Sequence, residues 1–137
     1  MGLPLAMAAV KSGYRVSGIE KNLNKVDLIS KGISPVEDVD DFEILDSIKK
    51  GKFHVSNDFE QVKGSEFVVI CVPTPLTKQQ EPDLSFVYES LESFAKYLDY
   101  GTTVILESTV SPGMTRNDFI PKVLSVSGKS EKDLYFA

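Results

Sequence analysis

Phe67-Val68-Val69-Ile70-Cys71-Val72 is an unbroken apolar run rich in β-branched residues, and the next regular pattern, Leu84 to Leu98, is helical. A strand without polar alternation reads as buried on both faces, the situation of a strand inside a parallel sheet covered by helices. In the helical stretch Leu84, Val87, Tyr88, Leu91, Phe94, Ala95 and Leu98 recur at steps of three and four, with Asp83 or Ser85 available as the N-cap. Gly101 closes that helix, and Thr103-Val104-Ile105-Leu106-Glu107 reads as the next strand. Strand, long helix, strand is the crossover that parallel neighbours require, because a two-residue hairpin cannot return the chain in the same direction.

The rest of the chain repeats this alternation. Leu3, Ala6, Ala9 and Val10 share one helical face, and Gly13 follows where a left-handed cap sits. Tyr14 to Glu20 alternates like a strand, and Val26, Ile29 and Gly32 place a short helix from about Asn24 to Lys31. Gly32-Ile33-Ser34-Pro35 is a loop. A helix then runs through Phe42, Leu45 and Ile48 to Gly51, followed by a strand at Phe53-His54-Val55-Ser56 and a turn from Phe59 to Lys63. Pro112-Gly113 precedes a last helix through Phe119, Val123 and Leu124, and Leu134-Tyr135-Phe136-Ala137 begins a further strand. The pattern predicts a single doubly wound α/β unit, in an order that opens on a helix rather than a strand.

Charge and cysteine content narrow the function classes. With 20 acidic residues against 15 basic ones the net charge is -5, which offers no footprint for DNA or RNA, so a phosphate-bearing ligand must be held by local backbone amides. Cys71 is the one cysteine and His54 the one histidine; together they make neither an internal disulfide nor a metal cluster of recognised spacing. Cys71 has no basic neighbour in sequence and reads as a core residue, and His54 as a strand residue. No apolar run is long enough to cross a bilayer. Met1 to Val10 lacks the leading positive charge of a signal peptide, and Ala6 stands where myristoylation requires Ser or Thr. The expectation is a cytoplasmic protein with neither membrane nor nucleic-acid partners.

Three constellations can carry chemistry. Gly2 opens the first helix and Glu20 ends the next strand 18 positions later, the relation of the last glycine and the ribose-binding acid of a dinucleotide fingerprint. The same two residues also read simply as the residue after an initiator Met and a charge at a strand end. Val72-Pro73-Thr74-Pro75 follows the apolar strand, where an open α/β sheet places its ligand; it equally reads as a stiffened turn. Glu107-Ser108-Thr109 with Ser111 presents a carboxylate and hydroxyls at the next strand end, fit to orient a water or substrate hydroxyl, or to cap the following helix.

Taken together, Gly2-Leu3-Pro4-Leu5-Ala6, Gly32-Ile33-Ser34-Pro35, Val72-Pro73-Thr74-Pro75-Leu76, Pro82-Asp83-Leu84-Ser85, and Glu107-Ser108-Thr109-Val110 with Pro112-Gly113 occur in an order and spacing that resembles the UDP-glucose/GDP-mannose dehydrogenase family. The wording is closest to its UDP-N-acetylhexosamine branch. Members oxidise a sugar C6 alcohol to a carboxylate in two NAD-dependent steps through a cysteine-bound intermediate. The resemblance implies a Rossmann-like fold, NAD as cofactor and a UDP-sugar as substrate of the full enzyme. By matching positions, Glu20 would bind the adenosine ribose with Lys25 beside it, and Val72, Pro73 and Thr74 would line the cofactor. Glu107 and Ser108 would lie near the nicotinamide, and Thr109 would act catalytically by helping to hold a water.

The departures carry their own expectations. The family's first strand and first two fingerprint glycines would precede Met1, and its catalytic cysteine, lysine, Pro-Glu-Arg motif and substrate domain would follow Ala137. Residues 1–137 are therefore expected to form a partial dinucleotide-binding domain, inactive by itself, with two unpaired interior strand edges and weakened NAD affinity. Its state of assembly is left open. The competing expectations are a stand-alone nucleotide-binding or protein-interaction module without catalysis, and a 3-hydroxyacid or 6-phosphogluconate type of dehydrogenase, against which the Pro-Thr-Pro and Glu-Ser-Thr motifs argue.

Overall fold

The computed structural model describes residues 1–137, which divide into two compact units, Met1–Asp58 and Phe59–Ala137. In the first unit the order is α1 (Gly2–Lys11), β1 (Val16–Ile19), α2 (Leu23–Ser30), α3 (Asp41–Lys49) and β2 (Phe53–Ser56). The second begins with a 3-10 turn (Phe59–Val62) and continues through β3 (Phe67–Ile70), α4 (Ser85–Phe94) with a 3-10 extension (Ala95–Tyr97), and β4 (Thr103–Leu106). A wide turn (Thr115–Phe119) then leads into α5 (Ile120–Ser127), and β5 (Tyr135–Phe136) follows.

Every strand pairing is parallel. In the first unit β1 pairs with β2, from Val16↔Phe53 to Ile19↔Ser56. In the second the order is β3-β4-β5, with Phe67↔Thr103 through Ile70↔Leu106 and Thr103↔Tyr135. The strands thus form two separate parallel sheets, one in each unit.

The helices of the first unit end where glycine permits it. After α2 the amide of Gly32 donates to Ile29 O (2.9 Å) and that of Ile33 to Leu28 O (3.0 Å), the paired bonds of a left-handed cap. Gly32 has φ +77°, and a Cβ placed on it would lie 3.0 Å from both Cβ and Cδ1 of Leu45. Glycine is required there twice, for its backbone and for the closeness of α3. Met7, Ile29, Val39, Ile44 and Phe53 form the core, with Leu3, Ala6, Val10, Val16, Ile48 and Val55 packed against it. Each fully buried side chain of this size contributes about 1.5–3 kcal/mol.

In the second unit the stripe read from the α4 sequence is buried at Val87, Leu91, Phe94, Ala95 and Leu98, as are Ile70, Val104, Phe119 and Val123. No helix is long and apolar enough to cross a membrane.

Four local readings are corrected. The β3 run is not covered on both faces, since Phe67 is 51% and Val69 40% exposed while Ile70 is buried. β3 is an edge strand of its three-stranded sheet, and its Phe67 and Val69 share the face that is left open. The run also stops short as a strand, so Cys71 lies just past its end and is half-buried rather than a core residue. On α3 the buried positions are Ile44 and Ser47, with Ile48 packed on the same core, whereas Phe42 is 78% and Leu45 37% exposed, because the helix turns its Ile44 side toward the core of Met7, Ile29 and Phe53. Neither Asp83 nor Ser85 caps α4: the cap position is Leu84, which makes no side-chain cap bond, and the Asp83 carboxylate accepts the Ser85 amide at 3.0 Å.

Candidate functional site

The carboxyl ends of parallel strands are where an open α/β sheet leaves backbone and side chains free for a ligand. In the first unit that end carries Glu20. Its amide donates to Ser56 O (2.9 Å), which extends the β1–β2 ladder by one residue and holds the side chain at the strand mouth. One carboxylate oxygen accepts the Asn22 amide (2.9 Å), and the other lies 3.9 Å from Lys25 Nζ. Asn22 in turn caps α2, its Oδ1 accepting the amides of Asn24 (3.0 Å) and Lys25 (3.3 Å). Glu20, Asn22 and Lys25 thus form one linked group at the strand end. Sequence reasoning missed Asn22 by starting α2 at Asn24; an Asn immediately before a helix is the signal that marks it.

Gly2 is the first residue of α1 and half-buried. The helix start has no side-chain cap and no acidic residue in its first turn, so the positive end of the helix dipole is left uncompensated. An anion is the group such a terminus accommodates.

In the second unit two strand-end loops lie side by side. The β3–β4 ladder runs from Thr103 N–H bonded to Glu66 O (2.8 Å) to Glu107 N–H bonded to Ile70 O (3.0 Å). Just beyond it Ser108 Oγ donates to Val72 O at 2.7 Å, and Ser108 is almost fully buried. Val72 and Thr74 are half-buried, and Pro73, Glu107 and Thr109 are exposed on the same two loops. The turn that follows has no side-chain cap, so the hydroxyls of the Glu-Ser-Thr loop do not serve as helix caps. Burial and then the nearby Glu107 carboxylate push the Cys71 thiol above its ordinary pKa, which keeps it protonated and a poor nucleophile.

Past Pro75 the chain makes a short arm. Leu76 bridges to Pro82, Asp83 N–H donates to Pro75 O (2.7 Å), and Thr77 Oγ1 accepts the amides of Gln79 and Glu81. The arm returns the chain to α4 while leaving Val72-Pro73-Thr74 at the strand end.

Two clefts of the first unit, one lined by Ser34 to Phe42 and one by Arg15, Ser17, Lys52 and His54, include neither Gly2 nor Glu20. His54 lies in β2 as the pattern predicts.

Parallel strands, an uncapped helix start followed by an acid at the next strand end, and paired strand-end loops define a dinucleotide-binding domain of the Rossmann type. The model of the UDP-glucose/GDP-mannose dehydrogenase family, NAD binding domain, matches residues 1–137. The chain belongs to that family and is its NAD-binding domain.

Among curated relatives, a UDP-N-acetyl-D-mannosamine dehydrogenase of Pyrococcus horikoshii is 34% identical over 116 residues, 84% of this chain and 28% of the relative. A UDP-N-acetyl-D-glucosamine 6-dehydrogenase of Pseudomonas aeruginosa is 30% identical over 137 residues, the whole of this chain and 32% of the relative. Among solved structures, the UDP-D-ManNAc dehydrogenase of Pyrococcus horikoshii matches with a TM-score of 0.90 at 32% identity, covering 98% of this chain and 32% of that one. A ternary complex of GDP-mannose dehydrogenase from Pseudomonas aeruginosa matches at 0.88 and 29% identity, over 96% of this chain and 32% of that one. The chain spans about a third of the length of the relatives it matches.

The donor set fits NAD. A carboxylate at the end of β1 can accept ribose hydroxyls, and an uncapped helix start suits a pyrophosphate.

Proposed function

We propose that this chain supplies the cofactor half of a cytoplasmic nucleotide-sugar 6-dehydrogenase that oxidises the C6 alcohol of a UDP-N-acetylhexosamine to a carboxylate. The substrate half belongs to the remaining two thirds of the length that the relatives have. The observation that carries this reading is the family match over the whole chain, joined to two strand-end loops that close on each other through Ser108 and Val72.

The roles follow the matched motif positions. In the first unit Gly2 opens the helix that takes the pyrophosphate, Glu20 takes the adenosine ribose, and Lys25 flanks it. In the second unit Val72, Pro73 and Thr74 line the cofactor, Glu107 and Ser108 lie on the loop beside the nicotinamide, and Thr109 presents its hydroxyl to a water. When bound, NAD supplies the hydride acceptor. The protein's part is to orient the ring and the sugar carbon and to hold the water that the second oxidation consumes.

Titrating the isotope-labelled chain with NAD while recording amide shifts tests the reading and tolerates weak binding. Saturable shifts clustered at residues 2–5 and 20–25, and at 72–74 and 107–109, are expected. A well-dispersed spectrum that NAD leaves unchanged overturns the assignment and favours a protein-interaction module.

A further inference from the structure

The strand ends of the second unit contain a substitution of side chain for backbone. A parallel ladder alternates its donors between the strands, so after Glu107 N–H to Ile70 O the next two rungs in the series are Val72 N–H to Glu107 O and Thr109 N–H to Val72 O. Neither is made: the backbone ladder ends at Glu107 and Ile70, and Thr109 N–H takes no part in it. The Val72 carbonyl instead accepts the hydroxyl of Ser108, at 2.7 Å. Ser108 is only 9% exposed, so its hydroxyl is committed to this bond rather than offered to solvent.

We infer that Ser108 is a positioning residue: its side chain replaces the last backbone rung, so that the chain can turn outward at Thr109 while the Val72-Pro73-Thr74 loop stays fastened to it. A backbone rung would have drawn Thr109 into the sheet and continued the strand. Omitting the bond altogether would leave a partly buried carbonyl unsatisfied and the two loops free to separate. The hydroxyl meets both demands with one atom. A hydroxyl side chain suits the position, because an alanine has no donor. This assignment rests on the cofactor reading above, since it gives the fastened loops their purpose, which is to fix the surface that meets the nicotinamide end of NAD.

The test compares NAD with ADP-ribose, which has the same adenosine and pyrophosphate but lacks nicotinamide. In the 137-residue chain, Ser108→Ala is expected to weaken NAD binding about tenfold, the scale of one lost buried hydrogen bond, and to leave ADP-ribose binding unchanged. Ser108→Thr, which keeps the hydroxyl, is expected to restore NAD binding to within about threefold of the parent. Without ligand, the amide resonances of Thr74 and Thr109 should move in the alanine variant and stay near their parent positions in the threonine variant. Equal NAD binding by the parent and Ser108→Ala overturns the inference. Equal weakening toward NAD and ADP-ribose also overturns it, because a general loss of structure would act on both. A threonine variant that behaves like alanine shows that the hydroxyl is not the cause. Failure of the cofactor reading is separately visible, as absence of NAD binding by the parent chain.

Discussion

Gly32→Ala tests whether α2 and α3 approach as closely as their geometry requires. Two costs add. Alanine at φ +77° sits in the left-handed region, at about 1–2 kcal/mol. Its methyl would also lie 3.0 Å from Cβ and Cδ1 of Leu45, and relieving such an overlap in a packed site costs about 1–3 kcal/mol. Gly51 provides the control: it ends α3 at φ +66°, and a methyl added there would meet nothing within 4 Å, so Gly51→Ala carries the first cost alone. Urea unfolding followed through the amide resonances of α2 and α3 measures both variants. Gly32→Ala should be destabilised by about 1–3 kcal/mol more than Gly51→Ala. In a Leu45→Ala background the excess should shrink without vanishing, because the Cδ1 contact is gone and the Cβ contact remains. Equal destabilisation of the two glycine variants would refute the close approach.

Replacing Asn22 by alanine removes the acceptor for the amides of Asn24 and Lys25 and should cost about 1 kcal/mol, with Asn22→Asp largely neutral; urea midpoints decide it. Cys71 should react with iodoacetamide along a pH profile whose midpoint lies above the ~8.5 of an unperturbed thiol, whereas the urea-unfolded chain titrates at the ordinary value. Because the folded value is the raised one, the associated stability is complete below the unfolded pKa and is lost as pH rises through the folded one. A folded profile at or below the unfolded profile would contradict the burial described for this thiol.

Much of the architecture is legible from residue pattern. The alternation of β-branched runs with helices of crossover length implies parallel pairing, and all the pairings found are parallel. Chain breaks at Gly13, Gly32, Gly51 and Gly101 are legible too, because a left-handed backbone favours glycine wherever it occurs. The strand-end loops can be placed from Val72-Pro73-Thr74 and Glu107-Ser108-Thr109, since prolines and hydroxyl residues after an apolar run end a strand whatever surrounds it.

What the pattern could not supply depends on neighbours distant in sequence. A continuous apolar run does not say which of its faces is covered, and here Phe67 and Val69, which share one face of β3, are the exposed ones. The buried face of α3 is set by Ile44 packing into the core with Met7, Ile29 and Phe53, which leaves Phe42 and Leu45 exposed. A serine after a strand has the same sequence signature whether it caps a helix, meets a ligand or completes a ladder. Only the carbonyl of Val72, 36 residues away, assigns Ser108 to the last of these. Sequence determines local conformation because backbone preferences are local; the partner of a buried hydroxyl is decided by packing, which brings together atoms that the sequence keeps apart.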